Sequence, residues 1–478
     1  MVPDGRGGGG LMRADLLFDD VDGLDEALAA VDGFDAALVG GLLRPQPGRA
    51  GGLAGLADAV AGTPLASRVA EAADKTAAGA GDEGHFVALA AARTALFGAV
   101  HDALVARVEE ATGRSGAVAD ADGDSVAGED HASNLCAAAR SWLCDLARAG
   151  WQGIDHDLVG GAASVVSAML PDPALRRLAT LLDGFAAELA ASCPGASLER
   201  VPVRRWADLW SRAMLLTLPG AGSAPAVGEV TGRLLPLGVD VQEHATAVQA
   251  QVHAVFEPAD GGASRLVRAS VSAPKPDTVV GAGLWQLLRP HMSLLAAVSE
   301  GRSMELDAMP VTAEGDLIWD DGRARAGEPA DAFVTARVAL PAAAASAVSP
   351  LDRHPARIAV PVLLEGYGVE EAEGDGGLVF EVARCRIGVD AGRVPAAGPL
   401  TPEVVASSGA CLGLLRWDAG RFLLQPLAVE RTVRKKAVAV HAGAWAGGTT
   451  DKAGVRAEKA ATDAVKVLRE RAGKLLRK

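Results

Sequence analysis

Apolar side chains recur near helical spacing from Asp15 to about Gly40, at Leu24, Leu28, Val31, Phe34 and Leu38. A longer stripe runs from His85 to Thr112 through Phe86, Leu89, Ala92, Leu96, Val100, Leu104 and Val108, and Gly113 stands where a helix should stop. Between them, Arg49 to Gly81 is rich in Gly and Ala and shows no usable period. Arg114 to Asp130 reads as a polar, acidic loop. Helical patterning resumes over His131–Ala149, Leu158–Met169, Pro173–Ser192 and Val203–Leu218, with Asp172 as a cap and Pro173 in a first turn.

The period then changes. Pro219 to Val230 has a linker composition. After it, His244 to Phe256 alternates, and Asp260-Gly261-Gly262 turns that run into Arg265–Ser272 as a hairpin. Gly283 to Ser299 reads as a helix interrupted by Pro290. Strands are expected at Asp316–Trp319, Ala332–Leu340, Arg357–Leu364, Leu378–Val389, Cys411–Trp417 and Arg421–Val429, with Asp418-Ala419-Gly420 as a hairpin turn between the last two. The expected fold is α+β: an all-helical N-terminal domain, then an antiparallel β-rich barrel or sandwich, then a C-terminal helix. In numbers, 1–12 is disordered, 13–218 helical, 219–230 a linker, 231–445 β-rich and 446–478 a basic amphipathic tail.

At 478 residues, two domains are the natural division. The formal net charge is -14, which repels phosphate backbones as a whole, and one Tyr and nine Phe leave few rings for stacking on bases. Charge is segregated at one place. Residues 451–478 hold nine Lys/Arg against four Asp/Glu, and Ala461, Val465, Leu468, Ala472 and Leu475 form a heptad-like stripe. Lys466, Arg469 and Lys474 are its candidate contact residues, for an acidic surface on this chain's helical half or on a partner; the alternative is a frayed, solvated end.

No apolar run reaches the ~18 residues of a membrane span. Met1 to Gly10 lacks an apolar signal core, with Met12 an alternative start, so the cytoplasm is the expected location. The five scattered cysteines contain no CxxC, and no metal or other cofactor is expected.

Several stretches imitate chemistry. Asp120, Asp122 and Asp124 begin like a calcium loop, but the sixth and twelfth positions hold Ser125 and His131 rather than Gly and an acid. Asp155-His156-Asp157 could hold a metal or orient a general base, or could start a helix, the last being preferred. Cys136 and Cys144 read as buried thiols. There is no GxSxG, no GxxxxGK[ST] and no strand followed by GxGxxG. Arg205, Trp206 and Trp210 suggest a partner-binding helix, because Trp and Arg dominate interface hot spots. The preferred alternative packs both Trp into the helical core. Arg434, Lys435 and Lys436 could meet phosphate or an acidic partner, or could guard an edge strand.

The Arg205-to-Thr217 helix and the hairpin from Gly413 to Leu427 (GLLRWDAGRFLLQPL) resemble uncharacterised proteins encoded beside a MoxR-type AAA+ ATPase, a von Willebrand A protein and a SWIM zinc-finger protein. The resemblance implies an accessory, non-catalytic role, with the ATPase as a partner. The expected function is therefore an interaction or scaffold protein. Nucleic-acid binding through the β-rich domain and tail is the alternative, followed by an enzyme with an unpatterned acid/base site.

Overall fold

The computed structural model describes residues 12–114, 130–195, 201–221, 227–244, 246–371, 377–382 and 385–475. The Asp120–Asp124 acidic run, the first eleven residues and positions 222–226 of the linker lie outside them.

The helical half opens with a 3-10 turn at Ala14–Phe18, followed by α1 (Leu24–Gly40), α2 (Pro47–Ala59), α3 (Ala66–Ala77), α4 (Glu83–Thr112), α5 (Asp130–Ala149), α6 (His156–Gly160), α7 (Ala162–Met169), α8 (Arg176–Ala191) and α9 (Val203–Leu216). Asp82 and His85 cap α4 reciprocally, each side chain accepting the other's backbone N–H at 3.0 and 3.1 Å. Gly113, at φ +66°, ends it. The unpatterned region became α2 and α3. Its glycines serve a crossing: a Cβ on Gly52 would lie 2.1 Å from the Gly33 carbonyl oxygen, so α1 and α2 touch backbone to backbone. Helix α8 begins at Arg176, not Pro173. Asp172 accepts from Ala174 N at 2.8 Å and makes a turn before the helix instead of its cap.

Helix α4 is buried by two different bodies. Phe86, Leu89 and Ala92 join the helical core with Phe34, Phe185 and Trp206. Val100, Leu104 and Val108 join the core of the β-rich half, as do Ala14, Leu16 and Leu17. The helix is long and apolar enough to cross a bilayer, yet half of its most apolar stretch is buried within the fold.

The β-rich half contains β1 (Val227–Glu243), β2 (Ala247–Pro258), β3 (Arg265–Pro274), α10 (Leu284–Leu287), α11 (Met292–Glu300), β4 (Arg302–Thr312), β5 (Asp316–Leu317), β6 (Ala324–Pro329) and α12 (Ala332–Val338). It continues with β7 (Val360–Glu365), β8 (Gly368–Glu371), β9 (Leu378–Val382), β10 (Cys385–Val389), α13 (Pro402–Ala406), β11 (Ala410–Asp418), β12 (Arg421–Val433), β13 (Lys436–His441) and α14 (Lys452–Leu475). Strands β1-β2-β3-β5-β4 pair in that order, and β4 returns to β1, which closes a barrel. Strands β3 and β5 are parallel, and α10–α11 lie between β3 and β4. The second sheet repeats this plan. β7 and β8, joined through Gly366-Tyr367, act as one bent strand that pairs with β11 at one end and β9 at the other. β9 pairs with β10, β10 runs parallel to β12, β12 pairs with β11, and α13 precedes β11. Both barrels thus have the connectivity of the oligonucleotide/oligosaccharide-binding (OB) type. Because β3 and β10 each gain a parallel neighbour, the β half is not purely antiparallel.

Five strands were not expected from the sequence, β1, β4, β6, β8 and β13, and the single strand expected at Leu378–Val389 is the β9–β10 pair. Strand β1 is buried without a break from Leu234 to Val241, so it never alternates. Its Pro236 sits at a register shift against β2, and Pro426 of β12 lies beside the corresponding shift against β11. Proline lacks the N–H that a regular ladder needs, and a bulge accommodates it. Residues 332–340, expected as a strand, open with helix α12, because the Asp331 carboxylate accepts from Val334 N at 2.9 Å and caps it. The barrels pack through Leu235, Leu237 and Val255 on one side and Leu412 and Ala428 on the other, with Phe333 and Leu340 wedged between.

Candidate interaction surfaces

The Arg–Trp stretch lies on α9, at the centre of the helical core. Trp206 and Trp210 are 1% and 0% exposed. Trp210 donates its indole N–H to Leu143 O at 2.8 Å, and Trp206 meets Trp151 edge-on at 5.5 Å. Their area is spent on packing, so neither ring can anchor a partner, which corrects their candidacy as interaction residues. Arg205 is exposed but held by Glu188.

The basic triplet forms a hairpin. Val433 pairs with Lys436, leaving Arg434 and Lys435 as a two-residue turn with φ of +50° and +66°. Turns of this hand favour Asn-Gly, because a side chain is strained at positive φ. Here two long cations stand at the tip. Lys436 opens β13, which among the described residues pairs only with β12 and exposes Ala437, Val438 and Ala439. The charges therefore sit at an open sheet edge.

Helix α14 is docked for part of its length. Ala461 is 1% exposed, and a Cβ on Gly283 would lie 2.9 Å from both Ala461 Cβ and Ala457 O. The tail thus seats through small residues on the segment before α10, rather than by charge on the helical half. Beyond Val465, Lys466, Val467, Leu468, Arg469 and Lys474 are exposed. Among the described residues these cations form no ion pair.

Two polar seams hold the molecule together, one between the helical half and the 349–358 segment and one between the barrels. In the first, Arg93 on α4 grips Asp35 of α1 through two bonds of 2.6 and 2.9 Å, both residues essentially fully buried. Burial pushes the Asp35 carboxyl up, and Arg93 opposes it. Arg93 also approaches Asp208 at 3.7 Å. The 349–358 segment joins this cluster. Asp352 meets Arg177 at 2.8 Å, Arg212 at 3.6 Å and Arg357. His354 packs against Phe97 with the rings tilted at 49° and centroids 4.5 Å apart, accepts from Ala356 N through Nδ1 at 3.1 Å, and directs Nε2 at Asp208 at 3.5 Å. Its pKa falls to about 4 because burial disfavours the imidazolium, with Asp208 pulling the other way.

The second seam lies between the barrels. Asp240 of β1 accepts from Gln425 at 2.7 Å, Arg416 at 2.9 Å and Gln242 at 3.1 Å. His253 is buried beside it, and burial pushes its pKa down to about 3.

The remaining candidates resolve simply. Asp155 caps α6 by accepting from Leu158 N at 2.8 Å. Burial raises the Cys136 thiol and pushes Cys144 up to about 11, which makes poor nucleophiles of both. Among the described residues, no group of three or more His, Cys, Asp or Glu is placed to hold a metal ion. Sequence reasoning missed both seams, because their members lie far apart in the chain. Comparison with protein-family models, with curated proteins and with solved structures finds no match.

Proposed function

We propose that the chain is a non-catalytic interaction protein of the cytoplasm, which offers the free end of α14 and the β12–β13 hairpin to an acidic protein surface. The observation that carries this reading is the exposed run Lys466, Val467, Leu468 and Arg469, whose cations have no ion-pair partner among the described residues. A basic helix end beside two apolar side chains suits an acidic groove with an apolar floor, and its attraction is screened over ~8 Å at physiological salt. The resemblance to proteins encoded beside a MoxR-type ATPase makes that ATPase the first partner to test.

Nucleic-acid binding is the second reading, favoured by the OB-type connectivity of both barrels. Connectivity alone does not give function. Part of the outward face of β2, where such barrels meet ligands, is occupied: Val255 and His253 are buried toward the second barrel. The chain is also acidic. We therefore place protein ahead of nucleic acid.

The test is capture of a purified MoxR-type ATPase by the full chain and by a chain lacking residues 451–478, at low and high salt. The expected result is recovery at low salt that falls with salt and with the deletion. Recovery indifferent to both removes the tail from the reading. Tight binding of a labelled oligothymidylate by the full chain promotes the second reading.

A further inference from the structure

Where the helical half meets the second barrel, a cleft of about 110 Å³ lies between the end of α4, α12, β7 and β9. Its walls are largely apolar, with Leu340, Val362, Leu364 and Val382 among them. Arg114 forms part of the wall and is 7% exposed. Its Nη2 donates to Pro361 O at 2.8 Å. Its Nη1 is buried and has no acceptor among the described residues.

A guanidinium carries five N–H donors, and a buried cation is normally paired with a carboxylate and saturated with hydrogen bonds. Arg114 departs from both rules. No carboxylate of the described residues lies within ion-pair distance, and Glu109 acts on it only at longer range. Burial accordingly lowers its pKa to about 10. The cleft's other guanidinium, Arg337, is already neutralised by Glu365 and Glu430. The result is an apolar recess with one uncompensated, donor-rich cation in its wall.

We propose that this cleft binds a small aliphatic carboxylate, with its charged head on Arg114 and its hydrocarbon against Val362, Leu364 and Val382. The size fits. A cavity of ~150 Å³ lined by apolar side chains holds a benzene, six non-hydrogen atoms, so by proportion 110 Å³ holds about four, the alkyl part of a valerate, with the carboxylate at the Arg114 wall. A monoanion fits better than a dianion, because a single guanidinium is free. Since Arg114 also holds the Pro361 carbonyl, an occupant tightens the contact between the helical half and β7 and stabilises the native chain.

Thermal unfolding of the full chain tests this, with butyrate, valerate and isovalerate against 1-butanol, 1-pentanol and inorganic phosphate. The carboxylates are expected to raise Tm in a concentration-dependent way, and the alcohols and phosphate to leave it unchanged. Arg114→Gln should weaken valerate at least tenfold. Leu363→Trp, which fills the cleft but keeps the arginine, should do the same and serves if Arg114→Gln fails to fold. Equal shifts from alcohols or phosphate, or undiminished binding by both variants, overturn the assignment. Tighter binding by a peptide with a free C-terminal Val than by valerate overturns the small-molecule source.

Discussion

The two polar seams join the same molecule by different means. Outside its buried Asp35–Arg93 pair, the seam between the helical half and the 349–358 segment is a network of many members, in which Arg177 and Asp352 keep 34% and 23% of their side-chain surface. Arg212 reaches both Asp208 and Asp352, so carboxylates share their cations. The seam between the barrels is small and dry. Asp240 keeps 4% of its side-chain surface, Arg416 keeps 12%, and both Asp240 oxygens are bonded. A shared, wet network tolerates the loss of one member, because water and neighbours take over. A dry pair does not, because removing one partner strands the other in low dielectric. Together they show that burial, more than the number of ion pairs, sets how much a junction depends on each side chain.

The largest effect is expected at Asp240. Asp240→Ala leaves Arg416 as a buried, unpaired cation and frees the Gln425 amide, and should destabilise the chain by about 3–5 kcal/mol in denaturant unfolding. A loss under about 1 kcal/mol, the range of exposed pairs, would mean that water reaches the barrel seam and would erase the contrast.

The next effect is a pH dependence at the first seam. His354 ionises near 6.5 in the unfolded chain and about 4 in the folded one. Between these values the unfolded state holds more protons, so stability rises with pH across that window and is fully present above 6.5. On acidification it is lost between about 6.5 and 4 and then levels off. At ~1.4 kcal/mol per pH unit, the full swing is about 3 kcal/mol. Protonation also ends the Nδ1 bond to Ala356 N and places a cation beside Arg93, Arg212 and Arg357, with Asp208 alone favouring it. Urea midpoints measured at pH 4.5 and 7.5 check this. His354→Gln should reduce the difference without abolishing it, because burial depresses His253 over the same window, and an unchanged slope would assign the acid sensitivity to His253.

How much of this was legible in the sequence differs along the chain. The α4 stripe from Phe86 to Val108 was plain, because every member is buried except the half-buried Leu96. That its two ends face different cores was not, since periodicity shows that a face is covered but not by what. Strand β1 was invisible for the opposite reason: it is covered on both faces and carries Pro236 and Gly238 where a strand pattern should continue. Residues 332–340 misled because helix α12 is short and its Val334 and Val338 are exposed, at 56% and 74%. The tail's basic stripe was legible, but its seat was not, because Gly283 and Ala461 meet by shape and leave no charge signature. Arg114 gave no signal at all. It ends a helix beside an acidic run, and its uncompensated charge exists only once β7 and α12 close over it.

The smallest effect separates the seams most cleanly. Asp352→Asn removes the carboxylate shared by Arg177, Arg212 and Arg357 but keeps the side chain's shape. Arg177 and Arg357 keep 34% and 46% of their side-chain surface, and the more buried Arg212 retains Asp208 at 3.5 Å. The loss should therefore be about 1 kcal/mol, the range of partly exposed pairs. Much of it comes from mutual repulsion among the arginines. That repulsion is screened, with a Debye length of ~3 Å at 1 M salt against ~10 Å at 0.1 M. The deficit of Asp352→Asn relative to the parent chain should shrink as sodium chloride rises from 0.1 to 1 M, while the Asp240→Ala deficit stays constant because no ion reaches a sealed pair. Parallel salt dependence in the two variants would place both seams in the same dielectric and end the distinction.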